Sequence, residues 1–172
     1  MEENFVILNM DQERELKWTF AAIKNFEKRG REILKRLDIR NEKSQPVANI
    51  PTHAGYILAN FMRISDLLEA AIAASTGLSG LEGKKGEPSE ASQAIEAYLA
   101  SGGDLETLQQ AVYKAYLISA DPSGIPAWED QVEKEKEFRR INQEKSEIKM
   151  EAARKELEAL KASGNQLSAS PM

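Results

Sequence analysis

The spacing of hydrophobic and polar positions changes several times along the chain, and each change marks an element. Residues 5–9 form a short apolar run, and Leu16, Trp18 and Phe20 alternate with polar neighbours beyond a polar stretch at 11–14. Period two on both sides of a polar turn predicts a β-hairpin with Leu16, Trp18 and Phe20 facing the core. A lone hairpin is marginal in water, so it must pack on the helices C-terminal to it. From residue 21 to about 37 the period becomes helical, with Phe20, Ile23, Phe26, Ile33, Leu34 and Leu37 recurring mostly every three or four residues and basic residues between them. Gly30 weakens this helix by about 1 kcal/mol relative to Ala.

Residues 41–52 are polar, contain Pro46 and Pro51, and read as a connection. The strongest helical pattern comes next. Ile57, Phe61, Ile64, Leu68, Ile72 and Ser75 keep the helical step, and Leu58, Met62 and Ala71 widen the stripe. So broad an apolar face predicts one central helix over 52–77, with Thr52 as its cap and Gly77 as its stop. Residues 78–88, with Gly80, Gly83, Gly86, Lys84 and Lys85, read as an exposed flexible loop. Ser89 then caps a helix bearing Ala91, Ile95, Tyr98 and Leu99. After Gly102 and Gly103, Asp104 caps another bearing Leu105, Leu108, Val112, Ala115 and Ile118. The pair makes a helical hairpin, closed by residues 121–124.

Beyond this point the composition shifts. More than half of residues 129–161 are charged, with the signs nearly balanced, and Val132, Phe138, Ile141, Ile148, Leu157 and Leu160 are the large apolar exceptions. Asp130–Lys134, Glu135–Arg139 and Glu151–Lys155 have the favourable four-residue spacing, worth about 0.2–0.5 kcal/mol a pair. A heptad drawn through Phe138 and Ile141 meets Lys134, Lys145 and Lys155 at core positions, which breaks a coiled-coil seam. The expectation is a solvated helix, then a disordered tail from 162 rich in Ser and Asn. The fold class is therefore mainly α: a short N-terminal hairpin packed on a small helical bundle over 1–127, a charged helical extension over 128–161, and a tail over 162–172.

The chain has 172 residues, enough for one such core. It lacks cysteine, which excludes disulfides, thiolate nucleophiles and cysteine-ligated zinc and fits a reducing compartment. The net charge of −5 argues against a general nucleic-acid binder. No basic segment precedes an apolar one at the N-terminus, as a secretory signal would require. The most apolar stretch carries Asn60, Arg63, Asp66 and Glu69, so it reads as a core helix and not a membrane span.

Catalytic chemistry has little to build on. His53 is the only histidine, and its place beside the proposed cap suggests a capping or surface role. The glycine-rich loop fails the P-loop pattern, since Lys85 follows Gly83-Lys84 and Leu78 stands where the first glycine belongs. The carboxylates fall on polar faces, and no nucleophile motif occurs. The expectation is a protein that is not an enzyme and takes no cofactor or metal. Trp128 lies beside Ile125 and Pro126, where the charged segment begins. It has two readings: it pins that segment to the body, or it anchors a partner, as interface aromatics do. Trp128, Val132, Phe138 and Ile141 are the candidate partner-binding residues.

Two segments, ILNMDQERELKWTFAAIKNFEKR (residues 7–29) and AIEAYLASGGDLETLQQAVYKAYLIS (residues 94–119), carry a resemblance to phage tail assembly chaperones, the family encoded between the tail-tube and tape-measure genes. The first resembles the family's hairpin leading into a helix, the second its later helical hairpin. With the central helix, the resemblance covers about residues 5–120. It implies a chaperone that holds the tape measure protein soluble during tail tube assembly in the host cytoplasm. The tail tube protein would be a second candidate partner and a homo-oligomer is allowed, with no nucleic acid or membrane involved. It transfers no catalytic residue. The alternative is a structural virion or scaffold protein working through helical contacts.

Overall fold

In a computed structural model the described residues are 6–49, 53–80 and 87–167, with side chains described as far as 161. The architecture is mainly α with a short N-terminal hairpin, as the hydrophobic pattern implies. Strands β1 (Val6–Asn9) and β2 (Glu13–Leu16) pair antiparallel, with Val6 opposite Leu16 and Asn9 opposite Glu13. Helices α1 (Phe20–Arg36), α2 (Ala54–Phe61), α3 (Ser65–Thr76), α4 (Glu90–Ala100), α5 (Leu105–Ala120) and α6 (Ile125–Leu167) complete the described chain, with two short 3-10 turns between them. By its contacts the chain divides after Ile125 into one compact unit and a second one formed by the rest of α6.

The hairpin turn is clamped by Arg14, whose Nε and terminal nitrogen donate to the two Asp11 oxygens at 2.6 Å each. That guanidinium holds the Asp11 carboxyl well down, at about 2. Leu16 and Trp18 are buried as their alternation requires, but Phe20 is 76% exposed. Period two ends before it reaches Phe20. The Thr19 hydroxyl accepts from the Ala22 amide at 3.1 Å and caps α1, so Phe20 is already the first helical residue and points outward near Lys24.

The expected central helix is two helices. The chain turns at Met62–Ile64, and Ile64 takes an extended conformation before α3 begins. The Met62 carbonyl, released from any helical ladder, accepts from Gln109 Nε2 of α5 at 3.0 Å. The break lets α2 lie on α1 and α5 while α3 packs on α1, α4 and β2. The cap also moves by one position: His53 stands at the N-cap of α2, with Nδ1 accepting from the Tyr56 amide at 3.2 Å. Thr52 lies outside the described residues. Gly77 ends α3 with φ of 76°, where a Cβ would be strained. Ser89 and Asp104 cap α4 and α5 by accepting from the Ser92 and Thr107 amides.

Phe26, Leu34, Val47, Ile57, Leu67, Ile72, Leu108 and Val112 form the innermost core. Trp18 stands edge-on to Phe26 and to Tyr116, centroids 5.4 and 5.7 Å apart. Gly30, which lowers the propensity of α1, is buried. A Cβ there would come within 2.9 Å of Ile57 Cδ1 and 3.6 Å of Leu67 Cδ2, so the missing side chain lets α1 approach α2 and α3 closely.

The amino end of α2 is buried, and the Ala54 amide has found a partner across the core. Glu27 of α1 accepts from the Ala54 amide at 3.1 Å and takes Lys24 Nζ at 2.9 Å. Gly55 lies against the Tyr116 side chain of α5, whose hydroxyl would stand 3.2 Å from a Cβ at that position, and burial pushes that phenol up. Burial alone would raise the Glu27 carboxyl as well. The hydrogen bonds from Lys24 and Ala54 outweigh it, and the group ionises below its usual range.

Equilibrium unfolding tests both contacts. Gly30→Val should destabilise the protein by about 1–3 kcal/mol through overpacking, read as a lower urea midpoint. An unchanged midpoint would mean that α1 tolerates a wider crossing. Glu27→Ala should cost about 1–3 kcal/mol, because the Ala54 amide loses its acceptor. Because the folded Glu27 pKa is depressed, its ionic contribution is present above the unfolded value near 4.5 and is lost as pH falls through the lower folded value. Wild type should therefore lose more stability than Glu27→Gln on acidification through that window; parallel curves would refute the assignment.

Candidate protein-binding surfaces

Helix α6 is built by local forces. Its 43 residues span about 64 Å at 1.5 Å per residue. The three anticipated pairs form, Lys134–Asp130 at 2.5 Å, Arg139–Glu135 at 3.9 Å and Lys155–Glu151 at 2.7 Å, joined by Arg140–Glu144 and Arg154–Glu158. The helix runs on to Leu167, through residues 162–167 where composition suggests a disordered tail. Gly164 and Ser163 only lower helix propensity there, and residues 168–172 lie outside the described ones.

The four candidate residues do not share one face. Trp128 and Val132, one turn apart, are half-buried. Phe138 is 66% exposed and Ile141 lies three residues further on. At about 100° per residue, Ile141 falls about 180° from Val132. The residues that do line up with Phe138 and Ile141 are Ile148, seven beyond Ile141, and Ala152. Ile148 is 67% exposed. Glu137, Glu144, Glu151 and Glu158 recur every seven residues along one flank of this stripe.

A second surface lies in the compact unit. A groove of about 560 Å³ runs between α1 and α3. Its floor includes Phe26, Ala70, Ala73 and Ala74, and Lys28 and Arg29 stand on the α1 side. Leu78 and Gly80, in the segment after α3, also line the groove. That segment is tied to α4: the Ser79 amide donates to Glu90 Oε2 at 2.9 Å, and the Ser79 bonds hold the Glu90 carboxyl below its usual range. Gly83, Lys84 and Lys85, singled out in the glycine-rich loop, lie outside the described residues.

The groove is not visible from periodicity, because its floor comes from the narrow gap between two helices. The signal available is the row of basic residues in α1. Lys24, Lys28, Arg31 and Lys35 step by four, three and four, and so share a face. Among the described residues no three His, Asp or Glu side chains gather as a metal site would need, and no helix is long and apolar enough to cross a membrane.

Replacing Phe138 and Ile148 together by Ser should change the unfolding free energy of dilute protein by no more than about 0.5 kcal/mol, as for other surface positions. A loss above about 2 kcal/mol would show that these side chains are core. Compared with models of known protein families, with curated proteins and with solved structures, the chain matches none.

Proposed function

We propose that this protein is a phage tail assembly chaperone that binds the tape measure protein and keeps it soluble while the tail tube assembles, acting by binding and not by catalysis. The observation that carries the reading is α6. It holds Phe138, Ile148, Met150 and Leu160 more than 60% exposed on a helix whose opposite charges are nearly balanced. A holding chaperone needs apolar surface to cover a client and charge to keep the complex in solution. A helical client would dock on such a surface side by side, helix against helix. Support also comes from the two segments that carry the family resemblance: residues 7–29 fold as a hairpin running into α1, and residues 94–119 as the α4–α5 hairpin.

Co-expression with the tape measure protein of the same phage tests the reading. The expected result is a several-fold gain in soluble tape measure protein and its co-purification with this chain. No gain and no co-purification would refute it. Mass spectrometry of purified particles separates the alternative of a structural virion protein: a chaperone is absent from them, a structural component is present in stoichiometric amount.

A further inference from the structure

We propose that the groove between α1 and α3 receives α6 of a second copy of this chain, so that the protein self-associates through a body-to-helix contact. The inference does not depend on the client's identity.

The charge of the chain is segregated. Residues 20–43 hold eight basic and four acidic side chains, although the whole chain carries −5. The excess is concentrated on the outer face of α1, where Lys24, Lys28, Arg31 and Lys35 extend over about 16 Å. Lys24 is paired with Glu27, and Arg31 Nε donates to the Glu27 carbonyl at 3.2 Å. Lys28 and Lys35 have no ion-pair partner among the described residues. Beside this ridge lies the groove, with Phe26 and three alanines in its lining and room for more than one large side chain.

Helix α6 bears the complementary arrangement: an exposed apolar stripe of Phe138, Ile141 and Ile148 with Glu137, Glu144 and Glu151 along its flank. Seated in the groove, the stripe covers the alanine floor and its glutamates face the lysines of α1. Glu32, in the same lining and paired with Arg29 at 3.4 Å, is the acidic group there that Lys145 of the stripe would meet. Pairing of α6 with α6 is the poorer match. An antiparallel pair sets the glutamate row against itself, and a parallel pair places Lys145 opposite Lys145. Each copy offers one groove and one α6, so association closes as a reciprocal pair or extends from copy to copy.

The test is the mass of the full chain in solution, by light scattering after size exclusion and by sedimentation, at about 0.05 M and about 0.5 M salt. The expected result is a dimer or larger species at low salt whose dissociation constant rises at least about tenfold at high salt. Lys28→Glu with Lys35→Glu should weaken association about tenfold, and so should Glu137→Lys with Glu144→Lys. Combining all four substitutions should restore it, since the pair is then reversed and not lost. Circular dichroism of each variant confirms that it is folded. A monomer at every concentration overturns the proposal, as does an oligomer insensitive to these substitutions. Failure of the fourfold variant to recover also overturns it, because it would place α6 and α1 in different contacts.

Discussion

The compact unit depends on the burial of the amino end of α2. A helix start carries amides with no partner inside the helix, and leaving one of them dry costs roughly 1–3 kcal/mol. Here the partners come from two places in the chain. Glu27 reaches Ala54 from α1, and His53 closes on Tyr56 from the cap itself, while the Tyr116 ring of α5 lies against Gly55. The first bond fixes α2 against α1, and the second closes its first turn. The constraint also explains why a charged residue sits in the core at position 27. Its carboxylate is tolerated because Lys24 balances its charge at 2.9 Å and an amide occupies its other oxygen.

Around that junction the packing is tight and specific. Gly30 gives up helix propensity so that α1 can approach Ile57 and Leu67, and Trp18 brings the hairpin against Phe26 and Tyr116. The turn after α2 belongs to the same arrangement, since Gln109 of α5 supplies the donor that the Met62 carbonyl needs. Burial and hydrogen bonding are coupled throughout this unit. Changing one partner exposes a second group as well as removing the first.

Helix α6 is held by a different balance. Its stability comes from local hydrogen bonds and from ion pairs four residues apart, each of small value in water. Its large apolar side chains contribute nothing while they face solvent. Their value lies in what they can cover, and this links the proposed client binding to the proposed contact between copies. The glutamate row on α6 and the lysine row on α1 add direction to an otherwise unselective apolar stripe.

Much of this is legible in the residues themselves. Ser89, Asp104, Gly77, the hairpin, the α4–α5 pair and the ion pairs of α6 all depend on neighbours within a few positions. Local chemistry decides such features wherever the rest of the molecule does not oppose it. The Thr19 cap is hidden by the alternation around it, and with it the exposure of Phe20, because alternation does not reveal where a strand yields to a helix. The break between α2 and α3 is not legible either: Phe61-Met62-Arg63-Ile64-Ser65 contains neither Pro nor Gly, and the carbonyl it frees is satisfied from α5. The candidate surfaces divide the same way. Apolar residues on α6 can be read from composition, but their separation onto two faces emerges only once the helix is continuous. The sequence by itself determined the elements and the charge of their faces, which short-range bonds and side-chain chemistry specify. The tertiary structure alone decided the α2–α3 turn, the partner of the buried Ala54 amide and the groove beside α1, because each needs groups brought together from distant parts of the chain.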